Sequence, residues 1–299
     1  MKLSTKYLYR SAGIGDVLWT EPLLRALASS HRKLVLFTRY TALFENYPLP
    51  NVSVRPVPPG WQRAILKVLN FFTGNRLYFK LDGVYEACPQ MHILHAYQQF
   101  FALPFTNDYP VLHLGKDEEL PIPEMPVNYV VLHLEANSPE NFRKVYGVDF
   151  NEVVKHLHNH KLEVVVTGYS PEVYAGSVAF NGSLRQLIRL IYHAKFFVGV
   201  DSGPSHIAAS LKKPSIIFFG AVNPAYRHFP EHFNGLIMQQ TCEHPGCYHV
   251  APGIEKKCFN PLGKEAVPQC CMHTTIAVQQ NIDWLLEQYC LVSLTPAGT

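Results

Sequence analysis

The segment 183–220 reads SLRQLIRLIYHAKFFVGVDSGPSHIAASLKKPSIIFFG and predicts the fold class of this chain. It opens with a capping box, Ser183 followed three residues later by Gln186, and apolar residues then recur at helical spacing. Residues 196–200 and 215–219 are apolar runs of strand length, with a second helix between them. Strands that alternate with helices are typical of a parallel sheet with both faces covered.

The same alternation extends along the rest of the chain. Further strands are predicted at 7–9, 34–38, 52–57, 129–134 and 163–167, and further helices at 61–73, 150–160 and 274–289. Between the two series lies LPIPEMP, residues 120–126, where three prolines block both helix continuation and sheet pairing. We therefore predict an α/β protein with two β/α/β domains, residues 1–124 and 125–299.

Composition narrows the class of protein. The chain has 299 residues and a mass of 33.9 kDa, a length typical of two domains or one large α/β domain. Hydrophobic residues make up 47% and charged residues 16%, which excludes intrinsic disorder. No apolar run approaches the ~18–20 residues of a membrane span. The N-terminus lacks the apolar region of a signal peptide, so we expect a cytoplasmic protein.

The net charge of the chain is slightly positive. A net charge of +3 is too small to indicate a nucleic-acid partner. Residues 1–126 carry 13 Lys and Arg against 10 Asp and Glu, whereas the remainder carries 13 of each. The positive excess therefore lies in the first half and weakly favours an anionic partner there.

A candidate diphosphate site follows the strand that ends at Val200. It comprises Asp201, Ser202, Gly203, Pro204, Ser205 and His206. Ligands bind beyond the carboxyl ends of parallel strands. The glycine permits close backbone approach, the proline suits the first helical position, and the last two N–H groups would be free to bind an anion. The histidine side chain adds a donor. An equally supported interpretation is a capped helix with a buried histidine.

Asp16 is the second candidate. Gly13 and Gly15 are expected to form a tight turn between a strand and a helix, which puts Asp16 at the helix start. A carboxylate there acts as a general base or caps the helix, and from the spacing alone the cap is favoured. The glycine pair lacks the third glycine and the later acidic residue of a dinucleotide fingerprint, which disfavours a nicotinamide dehydrogenase.

The predicted helix 61–73 is amphipathic. An apolar face is predicted, with Arg63, Lys67 and Asn70 largely elsewhere, and it comprises Trp61, Ile65, Leu66, Leu69 and Phe72. We expect the apolar stripe to pack on the core, as on an ordinary surface helix. A basic amphipathic helix on a membrane surface is the alternative.

Together, residues 13–27 and 183–230 resemble the heptosyltransferase-like glycosyltransferases of family 9. The resemblance implies a GT-B fold, in which two Rossmann-like domains with parallel sheets face a central cleft. The first domain would serve the acceptor, and the second would bind the donor. It also implies an inverting sugar transfer from a nucleotide-diphosphate donor to a hydroxyl group, with no cofactor required for catalysis.

The resemblance also implies roles for single residues. Asp16 matches the general base of the family, and Asp201, Ser202, Gly203 and His206 match its donor block. Further matches are Lys144 for diphosphate charge, with Arg143 as the alternative, Glu172 for the donor ribose, and Asn137 and Ser138 near the phosphates. Two plainer interpretations remain open: a solvated basic pair at 143–144, and a glutamate that complements a helix start. His133 lies inside a strand and is expected to be a core histidine.

The acceptor is less defined, because the first domain departs from the family beyond residue 45. We expect a cell-envelope saccharide or glycolipid precursor at the inner face of the membrane, which fits lipopolysaccharide biosynthesis. Alternatives are the same chemistry on a hydroxylated DNA base or a protein, and a nucleotide-sugar-binding protein without turnover. A metal-dependent oxidoreductase or hydrolase is a further rival.

Five of the seven cysteines lie in the loop 242–271. They are Cys242, Cys247, Cys258, Cys270 and Cys271, with His244, His249 and His273 interspersed or close by. Cytoplasmic thiols stay reduced, so a disulfide scaffold is not expected and thiols packed in a loop are favoured. The alternative is structural zinc on Cys242, Cys247, Cys258 and Cys271, although no CxxC pair is present.

Overall fold

The computed structural model describes residues 3–136, 141–170, 172–244, 246–250, 257–263 and 267–289. The chain forms two compact units, the first up to Glu119 and the second from Leu120 onward. Each unit is built on its own parallel sheet. No helix in the described ranges is both long and apolar enough to cross a bilayer.

The first unit has a four-stranded sheet. Its elements are β1 Leu3–Tyr9, α1 Ile14–Leu18, α2 Thr20–Ala28, β2 His31–Thr38, β3 Val52–Pro56, α3 Gly60–Phe72, β4 Tyr78–Lys80 and α4 Ile93–Phe100. The strand order is β3-β2-β1-β4, with all pairs parallel. Leu8 pairs with Leu36 in the middle of the sheet, and both side chains are fully buried. The predicted strands at 7–9, 34–38 and 52–57 are confirmed.

The second unit has a six-stranded sheet. Its elements are β5 Tyr129–His133, α5 Phe150–Asn159, β6 Glu163–Thr167, β7 Val178–Phe180, α6 Leu184–His193, β8 Phe197–Val200, α7 Gly203–Ser210, β9 Ser215–Phe218, β10 Gly235–Met238, the antiparallel pair β11 Pro261–Leu262 and β12 Val267–Pro268, and α8 Thr275–Tyr289. The order of the large sheet is β10-β9-β8-β5-β6-β7, again all parallel.

Local signals explain why these elements form. Ser183 caps α6 through the amide of Gln186, and the Gln186 side chain accepts from the Ser183 amide at 2.7 Å, as the predicted capping box requires. The buried sides of α5 and α8 pack with β5, β6, β8 and β9 in one hydrophobic core. Two parallel sheets covered by helices are the Rossmann-like architecture that the sequence predicts.

Helix α3 corrects one expectation. No residue of α3 is fully buried, and Trp61, Val68 and Phe72 are more than half exposed. The helix instead contacts the sheet through its opposite face. Arg63 donates to Tyr9 Oη at 3.4 Å, and Asn70 Oδ1 accepts from the amides of Leu77 and Tyr78 at 2.9 and 2.8 Å. Of the predicted apolar face, Leu66 is half-buried beside these polar contacts, as expected, and the other residues are turned away from the core.

Candidate active site

Asp16 lies in the first turn of α1, at the carboxyl end of β1. Gly13 forms the turn with a φ of 76°, a left-handed conformation that favours glycine. A Cβ atom on Gly13 would also collide with the Asp16 carboxylate. Gly15 lies buried inside α1, so the expectation that both glycines form the turn is wrong for Gly15. Gly13 is also the N-cap residue, so Asp16 does not cap the helix.

Arg10, which directly follows β1, holds the Asp16 carboxylate. Its Nη2 lies 2.8 Å from Oδ2 of Asp16, and both terminal nitrogens lie 3.1 Å from Oε1 of Glu86. Asp82 Oδ1 is 3.5 Å from Nη1. Burial opposes the charge of Arg10, but the carboxylates of Asp16 and Glu86 help to raise its pKa above the ordinary value. Arg10 therefore stays charged and orients Asp16.

The sequence analysis missed Arg10 and its acidic partners. Asp82 lies 71 positions from Ser11, yet its carboxylate accepts from the Ser11 amide at 3.0 Å and from the Ser11 hydroxyl at 2.8 Å. The available signal was the arginine itself, because arginine beside a buried strand is almost never buried without an acidic partner. Which acidic residues pair with Arg10 depends on the tertiary structure.

A cavity of about 400 Å³ lies at the carboxyl ends of β1 and β4 in the first unit. Its charged lining residues are Arg63, Lys67, Lys80 and Asp82. Three cations against one carboxylate favour an anionic occupant. Asp82 also contacts Arg10, so this cavity adjoins the cluster that holds Asp16.

The second unit has a cavity of about 640 Å³ where β5 ends. Its lining includes Glu135, Ala136, Arg143, Lys144, Asn151, Glu172 and Tyr174. This volume is typical of small-molecule sites. The structure therefore brings the predicted residues Lys144 and Glu172 to one cavity, and both are exposed. The predicted residues Asn137 and Ser138 lie outside the described residues.

Glu135 and Tyr174 are lining residues that the sequence analysis missed. The Glu135 carboxylate accepts from the amides of Tyr169 at 2.7 Å and Ser170 at 3.1 Å, which fixes the loop after β6. Tyr174 donates to Glu172 at 3.4 Å. Burial and then the charge of Glu172 raise the pKa of Tyr174 to about 12. Tyr174 thus stays a neutral donor that restrains Glu172.

The basic pair 143–144 splits into two environments. Arg143 lies with Nε 3.4 Å from Oδ2 of Asp201 and with its guanidinium 4.8 Å from the ring centroid of Tyr248. Lys144 is exposed and lines the cavity. Arg143 is therefore engaged by protein groups, whereas Lys144 presents its charge to the cavity.

Asp201 is buried in a cationic environment. Only 1% of the residue is exposed, and His206 Nε2 lies 3.8 Å from Oδ1. Burial alone would raise the pKa of Asp201, but Arg143, His206 and Arg227 outweigh it and lower that pKa. Asp201 is thus an ionised carboxylate that holds its basic neighbours in place.

The start of α7 differs in detail from the sequence prediction. The helix begins at Gly203, so Pro204 is the second helical residue. The His206 amide donates to the Ser202 carbonyl at 3.4 Å and is not free. The Ser205 hydroxyl donates to that carbonyl at 2.7 Å, while the Ser202 amide donates to the same hydroxyl at 3.2 Å. The side chain of His206 is buried and stacks on His228, with ring centroids 4.7 Å apart.

His133 is a core histidine, as predicted. It is 6% exposed, and its Nδ1 lies 2.8 Å from the carbonyl oxygen of Thr167. Burial lowers its pKa, so the neutral ring is favoured.

The loop cysteines share one cluster. Cys270 and Cys271 are buried beside Phe142 and Ala221, and the half-buried Cys242, Cys247 and Cys258 pack against them. Burial and the neighbouring thiols raise the pKa of Cys247 to about 11. Cysteine thiolates are ligands that suit zinc or iron. Among the residues the structure describes, however, three metal-ligand atoms come within 4.8 Å of one another at one place only, away from these cysteines.

Comparisons with known proteins find similarity to glycosyltransferases. Residues 99–242 match the model of glycosyltransferase family 9 (heptosyltransferase). The chain is 35% identical to lipopolysaccharide heptosyltransferase 3 of Escherichia coli over an alignment that covers 32% of each chain. It is 41% identical to lipopolysaccharide heptosyltransferase 1 of Campylobacter coli over 20% of this chain and 18% of that relative. The matches thus span a third or less of the curated relatives.

Solved structures show the fold. The heptosyltransferase TibC, described as dodecameric, iron-containing and in complex with ADP-D-beta-D-heptose, superposes with a TM-score of 0.73 at 16% identity, covering 97% of this chain and 78% of TibC. The ADP-heptose lipopolysaccharide heptosyltransferase II of E. coli superposes with a TM-score of 0.64 at 16% identity, covering 96% of this chain and 99% of that one. The chain therefore has the GT-B fold, with two Rossmann-like units, and its residues 99–242 are similar to the heptosyltransferases of glycosyltransferase family 9.

Proposed function

We propose that this protein is an inverting glycosyltransferase that moves heptose or a related sugar from an ADP-linked donor to a hydroxyl group of a lipopolysaccharide precursor. The observation that carries the proposal is the second-unit cavity, where Lys144 and Glu172 meet within the segment that matches the family. The ADP-heptose bound to TibC supports the choice of donor.

The candidate site residues suit each step of such a transfer. Arg10 engages Oδ2 of Asp16, so Oδ1 would accept the proton of the acceptor hydroxyl. The acceptor oxygen would form its bond to the anomeric carbon as the bond from that carbon to the phosphate oxygen breaks. The electron pair leaves with the nucleotide diphosphate, and Lys144 would stabilise the added charge. Attack opposite the leaving group inverts the anomeric centre. Glu172 would hold the ribose.

The first-unit cavity supports an anionic acceptor. Arg63, Lys67 and Lys80 line it, and it adjoins the Asp16 cluster through Asp82. A phosphate or carboxylate on the acceptor would be attracted to these three cations. Lipopolysaccharide precursors that carry such groups fit this charge, whereas the modest net charge gives no support to a DNA acceptor.

A transfer assay tests the proposed function. Purified protein is mixed with ADP-heptose and truncated lipopolysaccharide acceptors, and product formation and anomeric configuration are measured. We expect an inverted product, and a loss in kcat of about 10²–10⁴-fold in Asp16→Asn, because a positioned general base contributes a factor of that size. Nucleotide binding without turnover on any acceptor would favour a non-catalytic binding protein instead.

We also propose that α3 rests on the membrane at its inner face, as a peripheral contact of a cytoplasmic enzyme. Trp61, Val68, Phe71 and Phe72 are each more than half exposed, on the side of the helix away from the sheet. Aromatic residues on an exposed helical face insert at the boundary between headgroups and acyl chains. The positive excess in residues 1–126 favours anionic lipid.

Vesicle binding tests the membrane contact. We expect wild-type protein to sediment with vesicles that contain anionic lipid and the double variant Trp61→Gln, Phe72→Gln to stay in the supernatant. The matched control is Val127→Gln, which removes a side chain that is 91% exposed outside α3. Equal sedimentation of all three proteins would contradict the proposal.

A structural metal on Cys242, Cys247, Cys258 and Cys271 is a further proposal for this protein. Its support is the packing of these cysteines in one cluster and the description of TibC, which has a similar fold, as iron-containing. The thiolates would hold zinc or iron and tie the loop to the second unit, with no part in sugar transfer. Metal analysis of purified protein checks this: we expect about one ion per chain, falling in Cys247→Ser. Metal-free, fully folded protein would refute it.

A further inference from the structure

Three side chains of the types that bind metals lie close together, outside every site described above. His156 is in α5, His160 directly follows α5, and Asp283 is in α8. Oδ1 of Asp283 lies 2.7 Å from Nε2 of His156 and 3.0 Å from Nε2 of His160. One ligand atom from each residue lies within 4.8 Å of the other two.

The spacing of the histidines explains their convergence. Residues four apart share one face of a helix, so the rings of His156 and His160 lie side by side with centroids 5.0 Å apart. Two histidines at this spacing form half of a zinc site in several helical metal centres. The carboxylate that completes the set comes from a residue 127 positions after His156.

The two helices hold the three side chains on a fixed frame. Their apolar sides share one hydrophobic core. Polar contacts run along the junction: the Asp149 amide donates to Thr275 Oγ1 at 2.9 Å, and Gln279 donates to the Glu152 carbonyl at 3.2 Å. Asp283 lies one helical turn beyond Gln279. A frame fixed in this way lowers the entropy cost of gathering the ligands.

We propose that His156, His160 and Asp283 form a binding site for a divalent transition-metal ion, with zinc as the expected occupant. Two imidazoles and one carboxylate are the ligand types that zinc prefers, at about 2.0–2.2 Å, and a water molecule takes the fourth position. Side-chain exposures of 21%, 40% and 43% leave room for that water. Tetrahedral ligands lie about 3.3 Å apart at those bond lengths, so the present contacts need to open by a few tenths of an ångström.

The ion would replace two hydrogen bonds to Asp283 by three coordinate bonds. Each ring donates the lone pair of Nε2, and its proton moves to Nδ1 or to solvent. The metal would then clamp α8 onto α5. The expected consequence is stability of the second unit, independent of sugar transfer and of the cysteine cluster.

Zinc binding to the whole protein tests the proposal. We expect the wild-type protein to bind one more zinc ion per chain than His156→Ala or Asp283→Asn, measured by calorimetry. Zinc should also raise the Tm of the wild type. The rise should be smaller in His156→Ala and in Asp283→Asn, because each lacks a ligand of this site. The matched control is His158→Ala, which removes a histidine of the same helix that contacts Glu163 instead. It should bind zinc like the wild type.

Cobalt separates this site from the thiols. We expect Co²⁺ to give visible d–d absorption in a Cys242→Ser, Cys247→Ser, Cys258→Ser variant, without the near-ultraviolet band of cobalt–thiolate bonds, and to lose that absorption when His160→Ala is added. If His156→Ala or Asp283→Asn unfolds, the other variant carries the comparison. Equal zinc stoichiometry in the wild type and the folded variant, or cobalt bands of thiolate type alone, would overturn the proposal.

Discussion

Arg10 shows how a single residue organises the first unit. Its guanidinium contacts the carboxylates of Asp16, Asp82 and Glu86 while only 1% of the residue is exposed. The planar guanidinium of arginine has five N–H donors and can bridge several carboxylates at once. A lysine ammonium does this less well. The orientation of Asp16 therefore depends on an arginine at this position.

We expect Arg10→Met to lower the free energy of unfolding by roughly 3 kcal/mol, because removing one partner of a buried ion pair leaves charges uncompensated. The value lies at the low end of the usual range since the carboxylates are partly exposed. Arg10→Lys should keep most of the stability and still lower kcat more than it changes KM. Denaturant unfolding and steady-state kinetics check both effects. Unchanged kcat in folded Arg10→Lys would contradict the positioning role.

His228 makes stability depend on pH. It is fully buried, and burial, then His206, lower its pKa well below 6.5. The unfolded chain therefore takes up this proton at a higher pH than the folded protein does. The resulting stabilisation is complete above about pH 6.5 and is lost as the pH falls.

Between pH 7 and pH 5, the free energy of unfolding should fall by up to ~1.4 kcal/mol per pH unit from this group. We expect the slope to flatten in His228→Phe, which keeps a ring in the stack but does not titrate. The exposed His232→Phe should keep the wild-type slope. Parallel pH profiles for all three proteins would show that His228 is not responsible.

At the scale of elements, helix α3 exposes most of the apolar face that its hydrophobic pattern predicts to be buried. Arg63, Leu66 and Asn70 face the sheet, and the rest of the apolar stripe faces away. Helical periodicity shows that the helix has an apolar face. Whether that face packs on the sheet depends on which contacts the neighbouring strands offer. Here Tyr9 and the amides of residues 77 and 78 offer polar ones.

This orientation predicts an unusual order of mutational effects within α3. Phe72→Ser should change the free energy of unfolding by less than about 0.5 kcal/mol, because the side chain is 78% exposed. Asn70→Ala should cost roughly 1–3 kcal/mol, because it leaves two backbone amides without their acceptor. Thermal or urea unfolding checks the order. A larger loss in Phe72→Ser than in Asn70→Ala would show that the stripe is buried.

At the scale of the whole molecule, the proposed function assigns donor binding to the second unit and the general base to the first, so binding is expected to be separable from turnover. The second unit holds the Lys144–Glu172 cavity, and the first holds Asp16. ADP at 100 times its dissociation constant should add ~2.7 kcal/mol of stability to a protein that binds it. We expect this gain in the wild type and in Asp16→Asn, and a much smaller gain in Lys144→Ala.

Differential scanning fluorimetry with ADP, GDP, UDP and CDP measures this separation and identifies the base. Lys195→Ala, in the same unit but outside the cavity lining, is the control and should respond like the wild type. Loss of the ADP response in Asp16→Asn would mean that the two functions are not divided between the units as proposed.

Much of the architecture is local and could be predicted. The run of three valines at 164–166 favours a strand because β-branched side chains pack well on a pleated, buried surface. Ser183 with Gln186 starts α6 through contacts three residues apart. Short elements with weaker patterns, β4, β7, β10 and α4, were missed. The residues of the candidate site that follow a strand, Asp16 and Asp201, were identifiable because a strand's carboxyl end is readable from the chain.

By itself, then, the sequence determined the alternation of strands and helices and the fold class, and it predicted Asp16, Lys144, Glu172 and His206 as candidate site residues. Tertiary structure alone decided the partners: Arg10 with Glu86 76 positions away, His156 with Asp283 127 positions away, and the outward turn of α3. The physical reason is that periodicity and capping act between residues a few positions apart. An ion pair, a shared cavity or a metal site depends instead on which distant segments the folded chain brings within about 3 Å.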